Sequence, residues 1–242
     1  MNKQENPPLP TQRGYRKQYE AFFAPLGRKI ANLGISADTL SFLNLVFSFL
    51  VCIAFVYSSN GNYIFIYLAM FFLIIASFFD MIDGSVARAT KEKHPDKDYS
   101  KFGAVLDPAI DRYSEAFIVL GIMLSGYVPP EFVLFTFVGM IMASYVRARA
   151  ESLGMTNCSV GIERKEKITL LAIGATLEAI MMQLTQAGIY DFTTYFFNYH
   201  FFNYQFFNAT YAIGPLALFT LLVGILSHIS TFQRLQLAKK YL

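Results

Sequence analysis

Residues 63–88 read YIFIYLAMFFLIIASFFDMIDGSVAR, and this stretch decides the fold. It carries no charged side chain before Asp80, so it is apolar for long enough to form a helix that crosses roughly 30 Å of hydrocarbon. It then ends in Asp80 and Asp83, followed by Gly84 and Arg88. Ionisable side chains at membrane depth are costly and usually serve a function. The stretch therefore predicts both a transmembrane helix and a chemical site at one of its ends.

The whole chain has the composition of a membrane protein. Of its 242 residues, 55% are hydrophobic and 15% are charged, which is too apolar for an ordinary soluble domain. Five other runs are similar in length and hydropathy. We therefore predict an all-α integral membrane fold with six transmembrane helices. The predicted spans are Leu40–Tyr57, Tyr63–Ser85, Ala104–Gly126, Phe132–Arg149, Ile168–Gln186 and Ala209–Ile229.

The basic residues predict the orientation of these spans. Short cytoplasmic loops are enriched in Lys and Arg, whereas exported loops are not. All 20 Lys and Arg residues lie in the segments on one side of a six-span arrangement, or at the span ends next to them. The opposite loops, Ser58–Asn62, Tyr127–Glu131 and Ala187–Asn208, contain none. We therefore expect a protein of the cell membrane whose two termini both lie on the cytoplasmic side. A basic face beside anionic lipids also explains the net charge of +3 without a nucleic-acid partner.

The residues before the first span divide into two segments. Residues 1–12 contain three prolines among polar side chains, which predicts a mobile N-terminal tail. Residues 13–34 mix aromatic and aliphatic side chains with Arg and Lys, a pattern typical of an amphipathic helix that lies in the membrane interface. Residues 35–242 are left as the six-helix membrane domain.

Four aspartates lie near the predicted cytoplasmic ends of the second and third spans. Asp80 and Asp83 are three residues apart and Asp107 and Asp111 are four apart, so each pair shares one face of a helix. Clustered carboxylates in a low dielectric repel one another, which favours neutralisation by bound cations. Oxygen ligands suit Mg²⁺, Mn²⁺ or Ca²⁺. A pair of such ions about 4 Å apart could hold a pyrophosphate.

The residues that follow Asp83 suit a phosphate ligand. Gly84 has no Cβ, so a ligand can approach the backbone closely. Arg88, one turn further on, can donate two parallel hydrogen bonds to phosphate. A structural alternative is that the aspartates cap helices or pair with Arg88 and Arg112. Four aspartates at paired helical spacings, followed by glycine and arginine, favour the chemical site.

The second and third spans together contain a spaced motif of aspartate, glycine, alanine and arginine. It consists of Asp80, Asp83, Gly84, Ala87, Arg88, Gly103, Asp107 and Asp111. At these spacings the motif resembles the signature of the CDP-alcohol phosphotransferase family. The resemblance implies a six-helix membrane enzyme, commonly a homodimer, with a polar cavity open to the cytoplasm. The connection from Arg88 to Gly103 is longer than is usual in the family, a difference that lies in a loop.

The resemblance also implies a reaction and a role for each matching residue. The lipid phosphate of a CDP-lipid, either CDP-diacylglycerol or CDP-archaeol, would be transferred to an alcohol with release of CMP. Asp80, Asp83 and Asp107 would bind two Mg²⁺ or Mn²⁺ ions, and Asp111 would be the general base and also contact a metal. Asp38 and Ser41 lie in a stretch that loosely resembles the start of the family's first helix. The implied CDP-binding residues are Gly84, Ala87, Arg88, Asp38 and Ser41.

The acceptor alcohol is predicted from residues near the inner end of the fourth span. Residues 144–151 read SYVRARAE and residues 161–164 read GIER, which resembles the branch of the family that uses inositol phosphate. Arg147 and Arg149 are two residues apart and cannot both face one point from an ideal helix, so we expect at least one of them to serve the fold instead. We expect Arg149 and Arg164 to be the principal contacts. A structural alternative is that these cations anchor the cytoplasmic ends beside nearby glutamates. The implied acceptor-phosphate contacts are Ser144, Arg147, Arg149 and Arg164.

Two other functions are consistent with part of the sequence. Glycerol 3-phosphate also brings a phosphate and would suit the same basic residues as the acceptor. A divalent-cation transporter would also use carboxylates inside a membrane. Transport gives no reason for glycine, alanine and arginine at fixed distances from the aspartates.

Overall fold

The computed structural model describes residues 23–93, 103–155, 160–188, 203–206 and 209–241. The predicted mobile tail, the first ten residues of the predicted interfacial helix and most of the long Arg88–Gly103 connection lie outside the described residues. The first helix, α1, is described over 23–32. The further elements in chain order are α2 (Ala37–Ser58), α3 (Tyr63–Lys93), α4 (Gly103–Leu124), α5 (Pro130–Ser152), α6 (Arg164–Gln186), β1 (Asn203–Phe206), β2 (Ala209–Ala212) and α7 (Pro215–Tyr241).

Helices α2, α3, α5, α6 and α7 are each long and apolar enough to cross a membrane. Large apolar side chains cover their outer faces: Ile74 is 69% exposed, and Leu134 and Phe232 are each 62% exposed. An outer surface of this kind is unfavourable in water and favourable in lipid, while each helix satisfies its own backbone hydrogen bonds. The protein is therefore an integral membrane protein.

The third predicted span corresponds to α4, which has the length of a span but a different composition. Both α4 and α2 have 22 residues. Helix α4 carries Asp107, Asp111, Arg112 and Glu115 within its first 13 residues, so it is not among the five helices that qualify by composition. The charged side chains of α4, which include two aspartates of the candidate site, are thus the reason why its composition differs from that of the other spans.

The last span begins later than the sequence predicts. A helix is predicted from Ala209, but residues 209–212 form strand β2, which pairs antiparallel with β1. Helix α7 begins at Pro215, because proline has a fixed φ and no N–H and is therefore favoured at the first helical position. Its ring also disfavours a helical conformation at Gly214. The described fold is therefore helical with one short hairpin, rather than strictly all-α.

The described residues fall into two compact units. One contains the residues up to Val51 together with Phe71–Ile118, and the other contains Cys52–Met70 together with the residues from Val119 onward. We call them the aspartate unit and the arginine unit after their candidate site residues.

In the aspartate unit, α1 packs along α3 through one apolar face. Leu40, Ile82 and Val86 form a buried cluster that is covered in part by Phe23, Leu26 and Ile30 of α1. Gly27 makes the approach close, because a Cβ there would lie 2.8 Å from the backbone of Ser85. The described part of the predicted amphipathic helix is therefore helical and buries its apolar side against the motif helix.

In the arginine unit, α7 packs against α5 and α6 through small residues. A Cβ at Gly139 would lie 2.8 Å from His228, and one at Gly174 would lie 2.6 Å from Phe219. Thr136 also donates a 2.7 Å hydrogen bond to the carbonyl oxygen of Thr220. Small residues and interhelical hydrogen bonds are the usual means by which membrane helices associate.

The start of α7 is capped by a side chain from α6. The carboxylate of Glu178 accepts a 3.1 Å hydrogen bond from the backbone N–H of Leu216, at the positive end of the α7 dipole. Gly214 lies directly against this carboxylate, since a Cβ there would be 2.2 Å from Oε2. Glu178 therefore serves the packing of two helices.

Candidate active site

Three of the four motif aspartates are electrostatic neighbours in the aspartate unit. Asp80 and Asp83 lie on α3, Asp107 lies on α4, and the charges of Asp80 and Asp107 both act on the half-buried carboxylate of Asp83. Like charges in this position repel one another unless a cation lies between them. These three residues therefore lie close enough for their charges to interact.

Asp83 is held by hydrogen bonds to both of its carboxylate oxygens. The hydroxyl of Ser41 on α2 donates to Oδ2 at 3.1 Å, and the backbone N–H of Gly84 donates to Oδ1. Ser41 is buried, with 5% of its surface exposed. Ser41 is thus a hydrogen-bond partner of Asp83, and its contact with CDP stays a prediction from the sequence.

The predicted general base, Asp111, lies one helical turn after Asp107 and is half-buried. The next residue, Arg112, forms a 2.6 Å ion pair with Glu115, which is fully buried. At least one nitrogen of the Arg112 guanidinium is therefore committed to a partner other than the aspartates. The Arg112 charge compensates the buried Glu115 carboxylate, which would be costly to leave unpaired.

Arg88 and Asp38 lie around the backbone of the motif. A Cβ at Gly84 would meet Nη1 of Arg88 at 3.8 Å and nothing closer, so Arg88 folds back over the glycine without filling the space above it. Arg88 also donates a 3.3 Å hydrogen bond to Ser85. Asp38, in the first turn of α2, lies near the start of α4, because a Cβ at Gly103 would be 3.7 Å from its Oδ1. Ala87 is exposed next to Arg88.

The donor set fits a hard divalent cation by its chemistry. Carboxylates from α3 and α4 would supply oxygen ligands, and a bound cation would relieve their mutual repulsion. Within the part of the chain that the structure describes, no three His, Cys, Asp or Glu side chains converge closely enough to enclose a metal ion. Asp80, Asp83 and Asp107 are thus close enough to interact electrostatically, but their carboxylates do not converge on one point.

The predicted acceptor residues lie in the arginine unit, and the structure separates their roles. Arg147 forms a 2.9 Å ion pair with Glu151 one turn away, which matches the structural alternative for that residue. Arg149 is exposed near the end of α5, and Arg164 is the first residue of α6. Ser144 donates a 3.1 Å hydrogen bond to the carbonyl oxygen of Met140 within α5.

Two buried cations of the arginine unit are not among the residues singled out from the sequence. Lys167 on α6 is 2% exposed and Arg234 on α7 is 4% exposed. Lysine and arginine are almost never buried without a partner. Lys167 is three residues after Arg164 and so shares its helix face, a spacing that the sequence already contains.

The sequence is similar to a family model and to known proteins over the region that contains the motif. The family model for CDP-alcohol phosphatidyltransferase matches residues 35–223. The chain is 34% identical over 171 residues to the archaetidylinositol phosphate synthase of Pyrococcus horikoshii, an alignment that covers 70% of this chain and 85% of that one. It is 28% identical over 166 residues to the phosphatidylinositol phosphate synthase of Mycobacteroides abscessus, covering 66% of this chain and 70% of that one.

A solved structure has the same fold. It is the phosphatidylinositol phosphate synthase of Mycobacterium tuberculosis with CDP-DAG bound, with a TM-score of 0.61 and 22% identity, covering 90% of this chain and 94% of that one. The same protein has been solved with manganese and citrate, with a TM-score of 0.62 and 22% identity, covering 90% of this chain and 88% of that one. The matched family region contains every aspartate of the motif. The chain therefore belongs to the CDP-alcohol phosphatidyltransferase family.

Proposed function

We propose that this protein transfers the lipid phosphate of a CDP-lipid to the hydroxyl of inositol phosphate and releases CMP. The observation that carries the proposal is the grouping of Asp80, Asp83 and Asp107 in one unit, with Asp111 one turn further on α4. Family membership supports the reaction class. The names of the archaeal and mycobacterial relatives support the acceptor. A divalent-cation transporter does not fit this family.

In the proposed reaction the acceptor hydroxyl attacks the phosphorus atom that carries the lipid. Asp111 takes the proton from that hydroxyl as the new P–O bond forms. The bond between this phosphorus and the bridging oxygen breaks, and CMP leaves with the electron pair. Gly84 leaves room for the diphosphate beside the backbone, and Arg88 supplies positive charge next to it. Asp38, Ser41 and Ala87 complete the proposed CDP side.

Asp80, Asp83, Asp107 and Asp111 are the proposed ligands of two Mg²⁺ or Mn²⁺ ions. Bound divalent cations supply charge stabilisation to a transferring phosphoryl group and to its leaving oxygen. The hydrogen bonds from Ser41 and Gly84 orient Asp83 for this role.

The acceptor phosphate is assigned to the arginine unit. Arg149 and Arg164 are the principal proposed contacts, because Arg147 is already paired with Glu151. Ser144 is a weaker contact, since its hydroxyl bonds within its own helix. An arginine fork matches phosphate geometry better than a lysine does.

The proposed arrangement in the membrane has six spans: the five helices that qualify by composition and α4, which is the third span in chain order. An interfacial helix precedes the first span. Both termini and the active site face the cytoplasm, because all basic residues lie on that side of a six-span arrangement. We also propose a homodimer, as the family resemblance implies.

The test is an assay of the purified protein that follows CMP. CDP-diacylglycerol and CDP-archaeol are each combined with inositol phosphate or glycerol 3-phosphate, in Mg²⁺, in Mn²⁺ or with a chelator. We expect CMP only with inositol phosphate and only with a divalent cation. CMP formation with glycerol 3-phosphate alone would overturn the acceptor assignment, and full activity in chelator would overturn the metal assignment.

A further inference from the structure

The loop that leads into α6 is fastened to α7 by a buried serine. Ser230 is 1% exposed, and its hydroxyl accepts a 2.8 Å hydrogen bond from the backbone N–H of Ile162 while donating a 2.8 Å hydrogen bond to the carbonyl oxygen of Leu226. Both the donor and an acceptor site of this hydroxyl are therefore in use. Its partner Ile162 is two residues before Arg164.

Gly161 allows the loop to lie directly on this serine. Its φ is +82°, a left-handed value that glycine adopts without a steric penalty. A Cβ at Gly161 would also lie 2.2 Å from Oγ of Ser230 and 2.6 Å from its Cβ. The backbone conformation and the close approach both exclude a side chain, so the sequence has glycine here for the contact with α7.

A second residue of α7 joins the same loop to α5. Arg234, one turn after Ser230, donates from Nε to the carbonyl oxygen of Val160 at 3.1 Å and from Nη1 to that of Ala143 at 2.5 Å. Val160 directly precedes Gly161, and Ala143 directly precedes Ser144. One buried guanidinium thus contacts the backbone next to both sequence stretches that are assigned to the acceptor.

We propose that Ser230 is a positioning residue for the acceptor phosphate: by holding the Gly161–Ile162 backbone against α7, it fixes the position from which Arg164 starts α6. The inference rests on the proposed function, in which Arg164 contacts that phosphate. Ser230 itself is buried under the loop and does not touch substrate. Glu163 and Glu166 complete the rigid start of α6 through a reciprocal capping box, so a shift of the loop is passed to Arg164.

The first measurement tests the contact without using activity. Hydrogen exchange of the Ile162 amide is compared in the unaltered protein, Ser230→Ala and Thr231→Ala. Thr231 is a matched control, because it is buried on the same helix and its hydroxyl donates to the carbonyl oxygen of Ser227 within α7. We expect exchange to be faster in Ser230→Ala by roughly fivefold or more and unchanged in Thr231→Ala. Equal exchange in all three proteins would overturn the contact.

The second measurement tests the consequence by steady-state kinetics of CMP release. In Ser230→Ala we expect KM for inositol phosphate to rise about five- to tenfold, while KM for the CDP-lipid stays unchanged. Gly161→Ala should give the same pattern by a different route, and Thr231→Ala should give neither change. A parallel rise in both KM values, or no rise, would overturn the positioning role. If the unaltered protein releases no CMP with inositol phosphate, the proposed function fails, whereas the exchange result still judges the contact.

Discussion

The hydroxyl of Ser41 donates a 3.1 Å hydrogen bond to Oδ2 of Asp83, linking α2 to the motif helix α3. Both residues belong to the aspartate unit. A side chain that orients a metal-binding carboxylate contributes to metal affinity without being a ligand.

We therefore expect Ser41→Ala to weaken the affinity for the metal rather than the chemical step itself. The concentration of Mg²⁺ that gives half-maximal CMP release should rise about tenfold, with smaller loss at saturating Mg²⁺. Ser48→Ala is the matched control, since this buried serine on α2 bonds Asn44 instead. An unchanged metal titration for Ser41→Ala would show that the hydrogen bond has no such role.

Asp111→Asn should abolish the chemical step while leaving substrate binding in place. Asparagine keeps the shape of the side chain but cannot take the proton of the acceptor hydroxyl, so we expect kcat to fall by about 100-fold or more. Single-turnover CMP release and binding of the CDP-lipid are measured separately. Glu92→Gln, at an exposed carboxylate of α3, should keep full activity. Activity in Asp111→Asn near that of the unaltered protein would remove Asp111 as the base.

Two glycines of the aspartate unit should respond in opposite ways to alanine. A Cβ at Gly84 meets no described atom closer than 3.8 Å, so Gly84→Ala should fold normally and stabilise the helix by about 1 kcal/mol. Its KM for the CDP-lipid should nevertheless rise, because the methyl group fills space that the diphosphate needs. A Cβ at Gly27 would meet Ser85 at 2.8 Å, so Gly27→Ala should lower thermal stability. Full activity of Gly84→Ala would remove the glycine from the substrate site.

Arg149→Gln should affect the acceptor more strongly than Arg147→Gln does. A charge-assisted hydrogen bond to phosphate contributes about 1.5–3 kcal/mol, so we expect KM for inositol phosphate to rise roughly 10- to 100-fold for Arg149→Gln. Arg147 is paired with Glu151, and its replacement should cost less. Lys239→Gln removes an exposed charge from the last turn of α7 and serves as the control. A larger effect at Arg147 would reverse the assignment.

Glu178→Ala should destabilise the protein without changing its chemistry. The change leaves the N–H of Leu216 without its carboxylate partner, which costs about 1–3 kcal/mol. Thermal unfolding in detergent should therefore occur at a lower temperature, while the activity of the folded fraction is retained. Glu178→Gln keeps an acceptor oxygen and should be milder. A loss of activity at unchanged stability would instead place Glu178 in the substrate cavity.

The parts of the molecule that the sequence predicts well are those encoded locally. The apolar run before Asp80 and the three- and four-residue spacings of the aspartates need no knowledge of distant contacts. Hydropathy predicts too early a start for α7, because residues 209–212 are apolar enough for a helix and only their pairing with β1 makes them a strand. Pro215 is the local signal in the sequence for the start of α7.

The pairing of individual cations could not be predicted in the same way. Membrane helices are apolar on most of their surface, so periodicity does not show which face meets protein and which meets lipid. From the sequence, Arg234 is therefore only one of the basic residues on the predicted cytoplasmic side. In the structure it is buried and donates to two carbonyl groups. The preference for Arg149 over Arg147 is a prediction from the sequence, whereas the ion pair between Arg147 and Glu151 is visible only in the structure.

The length of α3 has a consequence for how the two substrates meet. With 31 residues it is about 46 Å long, well beyond the roughly 30 Å of hydrocarbon in a bilayer. A helix that enters the hydrocarbon at Tyr63 reaches its far boundary near Asp83, and the remaining turns run among head groups and water. A CDP-lipid can therefore present its diphosphate at that boundary while its chains stay in the bilayer. A water-soluble acceptor can reach the same boundary without entering the hydrocarbon.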